Sequence, residues 1–284
     1  MFSAFKKFGK LGALASSVAR AWSPLALWPD GIATPGMWIS PRDLTSEWQD
    51  YTGTTPVVTP GTVADTSNPV GLALDIRAGA TVLTDPGNHM LQSTSAARPL
   101  LSAYDGQTLG PGNTYDSAGY PVFQLYDGVD DGMATAAFSA GTLTSSMDCM
   151  IAVRRDSAAL VIAGLYETAG LGTRYTGYAE IGVSGLCFAG AGAPTVWVDD
   201  VQLSGGTSVT AGTLHTALTV GDWHILEFRN LDLSAWTAAA FGRYTGGIFN
   251  GARGDIMLYP STDPTEDKDA ARQYLADYYG VTLP

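Results

Sequence analysis

Between residues 120 and 260 the chain repeats one pattern: a short apolar run at strand spacing, then a turn rich in Gly, Asp, Asn or Ser. "SSMDCMIAVRR" alternates, with Cys149, Ile151 and Val153 on one face and Met150, Ala152 and Arg154 on the other. "SAALVIAGLYE" is almost wholly apolar, as in a strand covered on both faces. "TGYAEIGVSGLCFAG" holds a hairpin signal at Ser184–Gly185. "PTVWVDDVQLSGG", "GTLHTALTVGDWHILEFRN" and "RGDIMLYP" continue the series and place His215 on a strand. Strands at roughly ten- to fifteen-residue intervals, with no helix between them, predict an all-β fold: an antiparallel two-sheet sandwich of meander or jelly-roll type. Composition agrees, because 34 Gly and 15 Pro supply turns and only 15% of residues are charged.

Upstream, residues 24–119 are turn-rich ("WPDG", "TTPVVTPGT", "DPGNH", "GPGNT"), with short strands expected at Met37–Ile39 and Val70–Ile76. Such a segment can wrap a core but is not expected to build one alone. Residues 1–23 differ again. Phe5, Phe8, Leu11, Leu14, Val18 and Trp22 share one face of a helical wheel, with Lys6, Lys10 and Arg20 opposite and Lys7 near the edge. This is a basic amphipathic arm, able to pack on its own body or to anchor the chain in a larger assembly. "VARA" looks like a signal-peptidase site, but Ser16, Ser17 and Arg20 interrupt the apolar stretch before it. The formal charge is −12, and outside the arm 11 basic residues face 27 acidic ones, so the body is not built to hold phosphates. No apolar run reaches the ~20 residues of a membrane span.

The body, residues 120–284, closes on "STDPTEDKDAARQYLADYYG", which predicts a helix over 264–279. Asp263 suits the N-cap, Pro264 the first helical position and Glu266 a capping box. Ala271, Tyr274, Leu275 and Tyr278 form the apolar stripe and Gly280 the left-handed stop. A helix this short needs a surface to pack on, and is expected to cap one end of the sandwich.

No constellation for catalysis is evident, and the chain is expected not to be an enzyme. Glu47, Glu167, Glu180, Glu227 and Glu266 form no E-x-D-x-E array, and Asp199 and Asp200, if on one strand, face opposite ways. There is no G-x-S-x-G elbow, and His224 alternates with Leu226 and Phe228 as a core histidine would. Cys149 and Cys187 lie in apolar runs and read as buried free thiols. No cofactor is implied, but "YDGVDDG" gathers Asp127, Asp130 and Asp131 in one turn, a carboxylate set suited to calcium as well as to ordinary turn chemistry. Trp197, Trp236, Tyr166, Tyr175 and Tyr178 are candidate sugar-stacking residues if they stand exposed; Trp223 reads as core.

The order of several segments resembles a known family. "GDIMLYPSTDPTEDKDAARQYLADYYGVTLP" is similar to the closing strand and "YLaxxYGvtL" helix of concanavalin A-like, laminin-G-like jelly-roll proteins of tailed bacteriophages and prophages. "YPVFQLYDGVDDGM" resembles their "lxFDGvDDxl" segment, with Tyr126 where Phe is usual. "TVGDWHILEFRN" resembles their G-x-W-H strand, and "MWISPRDLTSEWQDYTGTTPV" and "NHMLQSTSAARPLL" a leader that often precedes the jelly roll. The similarity spans roughly residues 37–284 and leaves the arm without a counterpart. It implies a structural or adhesive virion protein of tail, baseplate or head (decoration or fibre), with other virion proteins, further copies of itself and host glycans as partners. On that reading Phe5, Lys6, Lys7, Phe8, Lys10 and Leu11 make the assembly contact. The rival expectation is a cell-surface carbohydrate-binding module or, less well supported, a glycan hydrolase.

Overall fold

The computed structural model of the chain describes residues 22–57, 69–103, 121–138, 143–158, 161–167, 174–244 and 247–284. The arm residues Phe5, Lys6, Lys7, Phe8, Lys10 and Leu11 lie outside them. The described chain is mostly β and antiparallel.

One eight-stranded sheet carries the structure. Its strands are β1 (Met37–Ile39), β5 (Leu100–Ala103), β6 (Val122–Asp127), β8 (Met147–Arg155), β11 (Thr195–Val198), β12 (Val201–Gln202), β13 (Trp223–Leu231) and β17 (Asn250–Pro260). The order is β12-β11-β13-β8-β17-β6-β5. β17 is central. Along one edge it pairs β8; along the other, Asn250–Arg253 pair β6 and Ile256–Leu258 pair β1. The second sheet is made of two- and three-residue strands: β2 (Glu47–Trp48), β3 (Leu72–Ala73), β4 (Met90–Leu91), β7 (Met133–Thr135) and β14 (Ala240–Phe241), ordered β14-β7-β4-β3-β2. Bridges Ala240↔Tyr166, Tyr166↔Tyr175 and Tyr175↔Ala189 carry the pairing past β14. The pairs β9 (Val161–Ile162) with β10 (Tyr178–Ala179), and β15 (Arg243–Tyr244) with β16 (Gly247–Ile248), complete the strands among the described residues. β1 to β5 all come from the upstream segment and lie in the two sheets.

The period-two reading of β8 holds. Cys149, Ile151 and Val153 join Ile39, Leu226, Phe228, Ile256 and Leu258 in a core shared with Ala73, Met90, Met133 and Phe241 of the second sheet. Both cysteines are buried and free, and burial pushes the Cys187 thiol up to about 12. Met150 and Ala152 face the other way, into a second core with Trp38, Phe123, Trp223, Ile225, Met257 and Tyr259. The main sheet is thus covered on both faces.

That second core is closed by α2 (Thr265–Tyr279) and by a turn of 3-10 helix over Pro24–Leu27. The helix lies on the outer face of the main sheet, not over one end of the sandwich: Ala271, Leu275, Ala276 and Tyr279 sit among the sheet's outward residues. Each large side chain so buried contributes ~1.5–3 kcal/mol. Tyr279 is the deep anchor and Tyr278 only partly buried, because the ring of Tyr279 fills the space over Gly254. The helix starts at Thr265, with Pro264 as N-cap and no side-chain cap; Asp263 turns inward instead. Gly280 (φ 72°) stops it as expected.

Two other expectations fail. His215 is on α1 (Ala211–Ala217), which Thr210 caps by accepting the Thr213 N–H at 3.1 Å, so the apolar run there is helical. The reversal near 184 falls earlier, where Val183 N–H reaches Glu180 O around Gly182 (φ 71°). No helix among the described residues is long and apolar enough to cross a membrane.

Candidate functional site

The aromatic candidates separate by burial. Trp236 is 5% exposed and its Nε1 donates to Gly190 O at 2.9 Å. It is a core residue, as is Tyr166 at 7% exposure, so neither offers a ring face. Trp223 is core as expected, its ring tilted against that of Tyr279 with centroids 4.6 Å apart. Tyr175 and Tyr178 are half-buried with ring centroids 5.7 Å apart, and the Tyr178 hydroxyl bonds Glu180. Trp197 is also half-buried. The Arg229 guanidinium lies 3.8 Å from its ring centroid. Arg229 is held there by a forked pair with Glu227, both contacts at 2.8 Å.

Beside Trp197 is the β11–β12 hairpin, whose two turn residues are Asp199 (φ 53°) and Asp200 (φ 64°). They do not lie on a strand. Two left-handed residues between paired strands make a type I′ turn, where Asp is tolerated better than most residues. Asp199 is clamped from below: its Oδ1 accepts the Ile225 N–H at 2.8 Å, and its Oδ2 lies 2.6 Å from His224 Nδ1. Asp200 lies 3.0 Å from Arg272 of α2, and Arg272 also meets buried Glu227 at 3.1 Å. The hairpin, β13 and the helix thus share one charge network.

Asp199, His224 and Thr219 follow one another in hydrogen-bond order. His224 Nε2 accepts the Thr219 backbone N–H at 3.0 Å, so the proton sits on Nδ1 toward Asp199. The Thr219 hydroxyl donates to Asp222 at 2.7 Å. The same hydroxyl oxygen lies 2.9 Å from His224 Nε2, so Asp199, His224, Thr219 and Asp222 tie the turn before β13 to the β11–β12 hairpin. Next to it an open groove of about 640 Å³ runs between the start of β13 and the end of α2, bordered by Asp222, His224, Asp277, Tyr278 and Thr282.

The DGVDDG loop leaves β6. Asp127 Oδ1 accepts the N–H of Val129 (2.7 Å) and of Asp130 (3.3 Å), and Asp131 Oδ2 accepts the N–H of Asp127 at 2.8 Å. One oxygen from each of Asp127, Asp130 and Asp131 lies within 4.8 Å of the others. Burial, then the nearby Asp127 and Asp130 charges, push Asp131 up to about 7 against the pull of its backbone hydrogen bond. A divalent cation with oxygen ligands would meet the charge that burial opposes.

Sequence reasoning missed the Asp–Asp turn and the Arg229–Trp197 stack. Two adjacent aspartates between alternating apolar runs were the available signal for the turn. The stack joins strands paired only in the fold. No family model, curated protein or solved structure matches the chain.

Proposed function

We propose that the chain is a structural component of a tailed-phage particle, a concanavalin A-like jelly-roll body joined to its neighbours by the basic amphipathic arm. The observation that carries this reading is the ordered series of family-like segments from residue 37 onward, whose β6, β13 and β17 belong to one antiparallel sheet with α2 packed on its outer face. A second observation favours the anchor. Trp22, where the arm meets the body, donates from Nε1 to Asp267 Oδ1 at 3.0 Å and packs edge-on against Tyr274. The arm's root is thereby fixed to the outside of α2. An acidic body repels its like, so the cationic arm suits contact with a neighbouring copy or another acidic particle protein. Calcium at the DGVDDG loop belongs to the same reading.

Deleting residues 1–21 should leave a folded body that no longer enters particles; normal incorporation of the deletion variant overturns the anchor. Trp197, half-buried beside the exposed strand β12, supports a second, host-glycan contact on the hairpin face. Trp197→Ala should then abolish retention on a host-glycan array. Equal retention of wild type and variant removes that contact.

A further inference from the structure

The N-terminal half of α2 lies over Asp148 of β8, a carboxyl whose side chain is 2% exposed. Lys268 Nζ is 2.8 Å from Asp148 Oδ2, and the lysine side chain is 14% exposed. A second bond, to Ser261 O at 2.6 Å, fixes the amine's direction. The other oxygen, Asp148 Oδ1, accepts two donors, the Asn230 N–H at 2.9 Å and the Ser261 hydroxyl at 2.5 Å. An ion pair requires one good contact. Here an amine is pinned beside one oxygen of a buried carboxyl while two donors converge on the other. That is the donor arrangement that stabilises the oxyanion of acyl transfer.

A third group completes the set. Asp263 turns away from the helix N-cap, and its Oδ2 is buried with no hydrogen-bond partner among the described residues. Burial pushes this carboxyl up to about 6, and it feels the charges of both Lys268 and Asp148. It is therefore able to take and return a proton near neutrality.

We propose that Lys268 and Asp148 condense spontaneously into an isopeptide bond that fastens α2 to the middle of the main sheet, with Asp263 carrying the proton. A proton first passes from Nζ to Oδ2 along their hydrogen bond, which frees the nitrogen lone pair. The nitrogen lone pair then attacks Cγ and the C–N bond forms. The electron pair of the carbonyl moves to Oδ1, where Asn230 N–H and the Ser261 hydroxyl hold it. Asp263 takes the surplus proton from nitrogen and delivers it to the Oδ2 hydroxyl, the C–O bond breaks and water leaves. Carboxylate plus ammonium gives amide plus water, and Asp263 is regenerated. Holding the reactants in contact supplies what solution chemistry lacks.

The test is the intact mass of the full chain in denaturant, followed by peptide mapping. The expected wild-type protein is lighter than its sequence by one water and yields a branched peptide joining the Asp148 and Lys268 segments. Lys268→Arg should have its full sequence mass. Asp148→Asn should still condense, now losing ammonia. Asp263→Asn should fold, with an unchanged far-UV spectrum, yet keep its full mass. Wild type at full sequence mass with no branched peptide overturns the bond. An Asp263→Asn protein that cross-links as completely as wild type overturns the proton carrier. Neither result depends on the virion reading.

Discussion

The contact between Gly254 and Tyr279 gives the sharpest stability test. A Cβ added at Gly254 would lie 2.2 Å from Tyr279 Cζ and 2.3 Å from its hydroxyl oxygen. The ring has no room to yield, because Trp223 packs against it with centroids 4.6 Å apart and the hydroxyl accepts the buried Asp255 N–H at 3.1 Å. Gly254→Ala should therefore cost ~1–3 kcal/mol by overpacking. Tyr279→Ala should cost ~4 kcal/mol for the lost ring, plus ~1 kcal/mol or more for the orphaned N–H. In the double variant the new methyl enters space the ring has left, so the alanine at 254 should become nearly neutral. The two changes should miss additivity by ~1–2 kcal/mol in the favourable direction. Urea unfolding of all four proteins, followed by tryptophan fluorescence, measures this. Additivity to within ~0.5 kcal/mol would mean that α2 does not seat Tyr279 over β17, and the described outer core would be wrong.

The buried charges give a pH test. Burial pushes fully buried Glu47 up to about 8 despite Arg253 and the hydrogen bond from Gln124. A raised folded value means that the stability contributed by the neutral acid is complete below its ordinary range and lost as pH rises through about 8. Wild-type stability should fall by ~2–4 kcal/mol over that rise, and Glu47→Gln should flatten the fall; parallel wild-type and variant profiles would remove Glu47 as the cause. Arg272→Met strips buried Glu227 of one partner while leaving Arg229, so chemical denaturation should show a loss of ~2–3 kcal/mol. Loss of under ~0.5 kcal/mol would make the network a surface ornament. Calcium at about a hundred times its Kd should add ~2–3 kcal/mol to wild type and nothing to Asp131→Asn. A melting temperature indifferent to calcium dismisses the DGVDDG loop as a metal site.

The long strands could be read in advance because their side chains keep period. Cys149 to Val153 show two faces, both apolar, and "GDIMLYP" does the same; Gly280 marks its helix stop through backbone freedom alone. The second sheet is different. β2, β3, β4 and β14 are two residues long, too short for any period, and exist because neighbouring strands pair with them. The choice between Tyr278 and Tyr279 as anchor was hidden for a similar reason. Tyr274, Leu275 and Tyr278 make a good stripe by spacing, but the free volume over Gly254 lies one position further on. At the candidate sites, "DGVDDG" announced its own clustering because turn residues lie close in sequence. The Asp148, Ser261 and Lys268 group spans a sequence separation of 120 and no local pattern announces it. Trp236 was misjudged because a ring in a loop and a ring plugged into a core look alike in sequence.

The placement of β17 sets an order of events for a chain being made. Its neighbours β1, β6 and β8 have all been synthesised well before Asn250–Pro260, and β1 finds its partners more than two hundred positions away, Met37 opposite Leu258. Until that last strand emerges, β6 and β8 each present an open edge, and the apolar outer surface of β8 has no helix to cover it. Closure of the sheet must therefore wait for translation of residues beyond 250, and the nascent chain spends that interval in a state prone to stick to itself. A ribosome stalled after β14 should hold a chain that recruits holdase chaperones, whereas one that has passed α2 should release a body already zipped through its middle.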